Sequence, residues 1–216
     1  MARRSNEWST PSLTTRSLAA QDRSALAIWP GNADSYPSQK RSTLGAALVF
    51  TAPGIPMIFM GQEFLEWGAW TDAEQLDWSK AGCFAGIRAL YRDLIRLRRN
   101  WCGTTEGLKG NNVHVHHVND ADKLVAFHRW SRGGPREDVV VVANMSQRSY
   151  PAYTLGLPRA GPWRVRVNSD WEGYSRAFGG HPSTEFWASG PGRDEMPAQG
   201  TISVGAYTAL VLSQDQ

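Results

Sequence analysis

The chain has 216 residues, 41% of them hydrophobic and 20% charged, with a formal net charge of +3. That length suits one large domain or two small ones with a sizeable core. The weak basic balance, without a basic stripe or a recognisable module, speaks against nucleic acid, and no apolar run is long enough to cross a bilayer.

Two cysteines, Cys83 and Cys102, stand outside any CxxC spacing. They read as free thiols of a reducing compartment. Met1 to Arg4 are basic but no continuous apolar stretch follows, so no secretory signal is read and the cytoplasm is the expected location. Ten tryptophans are present. Such rings either anchor cores or stack on the apolar faces of sugars, and composition does not separate the two.

Residues 1–27 are rich in Ser, Thr, Ala and Arg without sustained periodicity, and read as a disordered leader. Pro30-Gly31-Asn32 is turn chemistry. Gln39 to Thr51 reads as a helix with Leu44, Ala47, Leu48 and Thr51 on one face, stopped by Pro53-Gly54. Ile55 to Met60 is apolar on both faces, the pattern of a strand buried on both sides in a parallel sheet or barrel. Leu65 to Lys80 holds Trp67, Trp70 and Trp78 among Gly and Asp and reads as an irregular loop. Ala81 to Asn100 is the clearest helix, with Ile87, Leu90, Tyr91, Leu94 and Leu97 at helical spacing and arginines between them.

Beyond Gly103 the period becomes that of strands. They are predicted at Val113–Val118, Lys123–Trp130, Asp138–Met145, Trp163–Asn168, Thr201–Val204 and Tyr207–Leu212. Phe178 to Gly200 is crowded with Gly and Pro and reads as a long loop. The chain thus divides into a helix–strand–helix part, ending near Asn100, and an antiparallel β-sandwich of seven or eight short strands from about Trp101.

The stretch from Gly31 to Phe64, GNADSYPSQKRSTLGAALVFTAPGIPMIFMGQEF, resembles the last helix and last strand of the catalytic barrel in the α-amylase superfamily. The pieces QLDW, LYRDLIRLRRN, GLKGNNVHVHHVND, LVAFHRW and VVVVANMS resemble glycogen branching enzymes and their α-amylase relatives, in that family's order. The resemblance covers residues 28–212. It implies an α+β fold, the remnant of the end of a (β/α)8 barrel followed by an antiparallel β-sandwich. Residues 1–27 are then an unmatched leader, 28–100 the last barrel segment, and 101–216 the C-terminal all-β domain.

The resemblance also implies cleavage or transfer at α-1,4-glucosidic bonds, by double displacement and without a cofactor. Retaining chemistry of this kind needs two carboxylates about 5 Å apart. The family carries them at the ends of barrel strands four and five, with a third in a His-Asp pair after strand seven. This chain has no His-Asp pair, so no catalytic residue is expected in it, and the chain reads as lying downstream of the catalytic carboxylates.

Four features remain as candidates. Glu63 ends the apolar run on the face where such barrels hold their active sites. It could be taken for a catalytic acid, but reads better as a buried carboxylate that supports the site. Trp67 and Trp70 either line a glucan path or pin the loop, and Trp78 reads as a pin. His114 and His116 share a strand face, and two neutral imidazoles can hold zinc. No third ligand is evident, so no metal is expected.

The partner implied is an α-glucan such as starch, glycogen or a maltooligosaccharide. Amylase and branching activity stay open, since the loops that divide them fall mostly outside this chain. Three readings compete: an enzyme part inactive alone, a glucan-binding or regulatory module, or one half of a split enzyme. The orphaned strand Ile55–Met60 would expose unpaired backbone groups, so self-association, swapping, disorder or a complementing barrel chain is expected.

Overall fold

Proline and glycine placement decides where the first helices begin and end. The computed structural model describes residues 23–29, 32–68, 74–182 and 184–215. Helix α1 spans Ser24–Ile28 and α2 spans Tyr36–Thr51. Residues 24–27, grouped above with the leader, therefore lie in α1, while residues 1–22 fall outside the described residues. α2 starts three residues before the predicted Gln39. Pro37 sits in its first turn, where a missing N–H removes no intrahelical bond. The helix stops at Ala52, and Gly54 takes φ 103°, a value that favours glycine.

The single helix predicted over 81–100 is two: α3 at Lys80–Cys83 and α4 at Ala85–Arg98. Phe84, at φ −108° and ψ 35°, breaks the run. α4 buries Ile87, Leu90, Tyr91 and Leu94 on one face, the spacing read from the sequence. Gly86 permits a close approach there, because a Cβ would lie 2.1 Å from the Tyr174 carbonyl oxygen.

The remainder is antiparallel. The strands are β1 (Asn112–Asn119), β2 (Leu124–Trp130), β3 (Val139–Asn144), β4 (Tyr150–Leu157), β5 (Gly161–Asn168), β6 (Glu185–Ala188), β7 (Ala198–Val204) and β8 (Thr208–Ser213). Six of them form one sheet in the order β1-β2-β3-β8-β5-β6, and β4 pairs with β7 in a second. β3 and β8 are central and buried at every residue. Their alternate side chains serve two cores. Val139, Val141, Ala143, Ala209 and Val211 pack with α2 and α4. Val140, Val142, Leu210 and Leu212 pack with Trp163 and the two-stranded sheet. Full burial of one such side chain is worth about 1.5–3 kcal/mol. Three layers result: helices, large sheet, small sheet.

Two strands escaped the sequence reading. β4 carries Pro151 and Gly156, which mask its period, and β4 tolerates the proline because it pairs on one side only, with β7. β6 is four residues inside the predicted loop 178–200 and pairs with β5 alone. A larger correction concerns Ile55–Met60. It is not a strand: Ile55 to Phe59 run without ladder partners, because no described strand lies alongside to accept them. Ile55 is 97% and Met57 60% exposed, so the double-sided burial expected of this run is not realised.

α2 is tied into the β layers by charge as well as packing. Lys40, fully buried, donates from Nζ to Asp170 Oδ1 at 2.5 Å and to Thr208 Oγ1 at 3.0 Å. Burial lowers the Lys40 pKa, and the Asp170 carboxylate opposes that shift. Asp170 also accepts from the amides of Gly179 and His181.

Candidate functional site

The region from Pro53 to Lys80 follows from its turns. After the extended run, Gly61 takes φ 90°. A Cβ there would lie 2.5 Å from that of Glu66, so the loop can fold back only on glycine. Gln62 to Phe64 form a 3-10 turn, and the Glu66 amide closes onto the Gly61 carbonyl at 2.9 Å. Gln62 Oε1 accepts from the Phe59 amide at 2.6 Å, which fixes the end of the extended run.

Glu63 sits half-buried on this turn. Its Oε2 is buried and has no hydrogen-bond partner among the described residues. It borders a cavity of about 510 Å³ with Ile58, Arg88, Arg92, Ile95 and Trp101. Burial, and then the Glu63 charge, push the Tyr91 hydroxyl up from its ordinary value. A second cavity of about 330 Å³ is lined by Ala25, Ile28, Val49, Met57, Ile58 and others. Ile58 and Tyr91 border both cavities, so the two meet at the extended run and α4.

Sequence reasoning passed over Glu66 and Lys80, which the structure brings together in a buried ion pair. Glu66 further accepts from the amides of Trp67 at 3.0 Å and Asp77 at 2.7 Å. Burial alone would raise its carboxyl; the Lys80 ammonium and the two amides outweigh burial and hold it below the ordinary carboxylate value. The only signal in the sequence was a carboxylate set inside Phe64-Leu65-Glu66-Trp67, where an apolar loop segment would need a paired charge.

Lys80 Nζ also stands 3.7 Å from the centre of the Trp67 ring, so one face of that indole is covered by a cation. Trp67 remains 43% exposed, which leaves surface for another contact. Trp70 lies outside the described residues. Trp78 is exposed and its ring meets that of Phe64 at 5.2 Å, a contact of the loop-pinning kind.

The three histidines of β1 do not converge. His114 lies 3.8 Å from Glu195, and His116 Nε2 is 3.1 Å from the Gly156 carbonyl. His117 sits between Asp194 at 2.9 Å and the Tyr153 hydroxyl at 2.8 Å. A bulge between Val115 and His117 separates their directions. Among the described residues no group of three or more His, Cys, Asp or Glu is arranged to hold a metal ion. Cys83 and Cys102 are free and exposed. Among the described residues no helix is long and apolar enough to cross a membrane.

The fold and the sequence have relatives. Residues 114–215, which hold most of the β-sheet part, match the family described as alpha amylase, C-terminal all-beta domain. The chain's relatives by sequence are more particular. It is 37% identical to the 1,4-alpha-glucan branching enzyme of Thiobacillus denitrificans over 131 residues, 56% of this chain and 17% of the relative. It is 36% identical to that of Rhodopseudomonas palustris over 169 residues, 73% of this chain and 22% of the relative. The chain thus spans about one fifth of the length of these relatives. The fold is similar to that of a debranching enzyme from Nostoc punctiforme, with a TM-score of 0.54 at 18% identity. That likeness covers 80% of this chain and 30% of the other. An α-amylase from H. orenii gives a TM-score of 0.51 at 17% identity, over 82% of this chain and 36% of the other.

Proposed function

We propose that this chain is the C-terminal part of an enzyme acting on α-1,4-glucans, with 1,4-α-glucan branching as its reaction. In this reading residues 28–100 are the last segment of a (β/α)8 barrel, and 101–216 are the all-β domain that packs beside it. The paired carboxylates belong to upstream strands, so the chain alone turns over no glucan. One observation carries the proposal. Ile55 to Met60 is an extended apolar run without sheet partners among the described residues, partly exposed and bordering two cavities. A barrel strand described without its two neighbours has this form. The branching reaction is preferred over hydrolysis because the relatives at 36–37% identity bear that name. A cytoplasmic location accompanies it.

Within that enzyme Glu63 supports the site and does not carry the chemistry. It lies at the end of the closing segment, where its buried Oε2 would take a donor from the neighbouring strand. Trp67, and Trp70 beside it in sequence, border the glucan path. The half-exposed ring of Trp67 backed by Lys80 supports stacking on a sugar face. The same observation favours a second reading, a glucan-binding module whose contact is Trp67.

Purified chain run through gels with and without glycogen, together with a reducing-end and iodine assay on soluble starch, tests both. The proposal expects no turnover and weak retardation that Trp67→Ala abolishes. Turnover abolished by Glu63→Gln would instead make Glu63 catalytic and overturn it.

A further inference from the structure

The corner that launches Ile55–Met60 is held by two arginines. α2 ends there with carbonyls that no helical amide can reach. Pro53 and Pro56 have no N–H to offer, and the chain leaves in an extended form. Arg98, on α4, donates from Nη1 to the Ala52 carbonyl at 2.8 Å and from Nη2 to that of Gly54. Arg129, on β2, donates from Nη1 to the Thr51 carbonyl. Its other donors reach Asn112 at 3.0 Å, Leu108 at 3.3 Å and Gly110 at 2.5 Å, all backbone carbonyls.

Arg129 is unusual for a guanidinium. It is fully buried and its hydrogen bonds all go to backbone carbonyls, none to a carboxylate. Burial, and then the Arg98 charge beside it, bring its pKa down to about 10. Two like charges therefore meet at one corner, balanced by the carbonyl dipoles at the C-terminus of α2. A planar group with five donors can serve four carbonyls from three chain segments at once; an ammonium cannot.

The turn that completes this arrangement needs its glycines. A Cβ on Gly107 would lie 2.0 Å from the Glu137 carbonyl oxygen and 2.6 Å from that of Arg129. One on Gly110 would lie 2.3 Å from the Trp130 carbonyl oxygen. The glycines of the GLKGNN motif thus let the turn press onto β2, so that the Leu108 and Gly110 carbonyls face the guanidinium.

We infer that Arg129, seconded by Arg98, is a positioning residue through which the β-sheet part sets the direction of Ile55–Met60. The far end of that run is tied by Gln62 within its own loop; Arg129 supplies the link from its near end to the large sheet. The inference rests on the reading of the run as a barrel-closing segment for its purpose, while its geometry and its test do not.

The test is a distance distribution by double electron–electron resonance. Spin labels go on Met57→Cys and Val118→Cys in a background with Cys83→Ser and Cys102→Ser. Met57 and Val118 are both well exposed. The labelled parent should give a narrow distribution. Arg129→Met should broaden it about twofold while the sheet keeps its circular dichroism. Arg129→Lys should fall between, because it restores a cation but not the four-carbonyl geometry.

Should Arg129→Met fail to fold, Arg98→Ala decides, since it touches only the corner and should broaden the same distribution. Widths unchanged in Arg98→Ala and in every folded Arg129 variant would overturn the inference. Turnover of starch by this chain alone, or no retardation by glycogen, would count against the proposed function and leave these widths untouched.

Discussion

Acid should weaken this protein through one histidine of β1. His116 sits in the seam between the large and small sheets, its Nε2 on the Gly156 carbonyl and its Nδ1 buried without a hydrogen bond of good geometry. Burial lowers its pKa from the ordinary 6.5 to about 4. The His114 and Gly156 backbone groups and the Asp194 charge oppose the shift, and the His128 charge adds to it. The unfolded chain therefore binds a proton on this residue that the folded chain refuses, between pH 6.5 and about 4. Stability from this group is complete above pH 6.5, falls as the pH drops through that window, and is lost below about 4. At about 1.4 kcal/mol per pH unit, the loss amounts to about 3 kcal/mol across the window. His116→Gln keeps a donor for Gly156 and removes the titration. Urea unfolding of both proteins at pH 7, 5.5 and 4.5 should show the parent losing more stability than the variant as the pH falls. Parallel curves for the two would refute the reasoning.

Three further outcomes follow from the packing. Lys40→Met leaves Asp170 buried without its cation and should cost about 3–5 kcal/mol in urea unfolding; the Lys40→Met, Asp170→Asn pair should cost less than the two single changes together. Gly86→Ala drives a methyl to 2.1 Å from the Tyr174 carbonyl oxygen, and the forced shift should lower stability by about 1–3 kcal/mol in the same assay. Ile55→Lys with Met57→Lys replaces two exposed apolar side chains. Sedimentation velocity should then show less self-association, with the far-ultraviolet circular dichroism unchanged.

The parts legible in the sequence were those governed by local period. α4 was visible because Ile87, Leu90, Tyr91 and Leu94 recur on one face, and β3 because Val139–Val142 form an unbroken β-branched run. β4 was hidden by Pro151 and Gly156, whose usual meaning is a turn, and β6 by its length. Ile55–Met60 shows the converse error. Its composition states what environment it needs, and says nothing about whether neighbouring strands are there to provide it. The site was less legible than the fold. Glu66 and Lys80 meet only because Gly61 reverses the loop, a tertiary event with no local period. Arg129 lies on the same face of β2 as Phe127, pointing toward the helices, and in LVAFHRW it reads as an ordinary polar position. Its role depends on carbonyls delivered by Thr51 and the turn at 107–110.

The central claim is that Ile55–Met60 and the all-β part complete a barrel carried by another stretch of polypeptide. Its most direct test mixes this chain with the upstream part of the Thiobacillus denitrificans branching enzyme, ending before the segment that answers to residues 28–100. Complex formation is followed by gel filtration and branching by the iodine spectrum of amylose. The account predicts that the two chains co-elute and that activity appears only in the mixture. Turnover by this chain alone, or two chains that elute apart and stay inactive together, would contradict it.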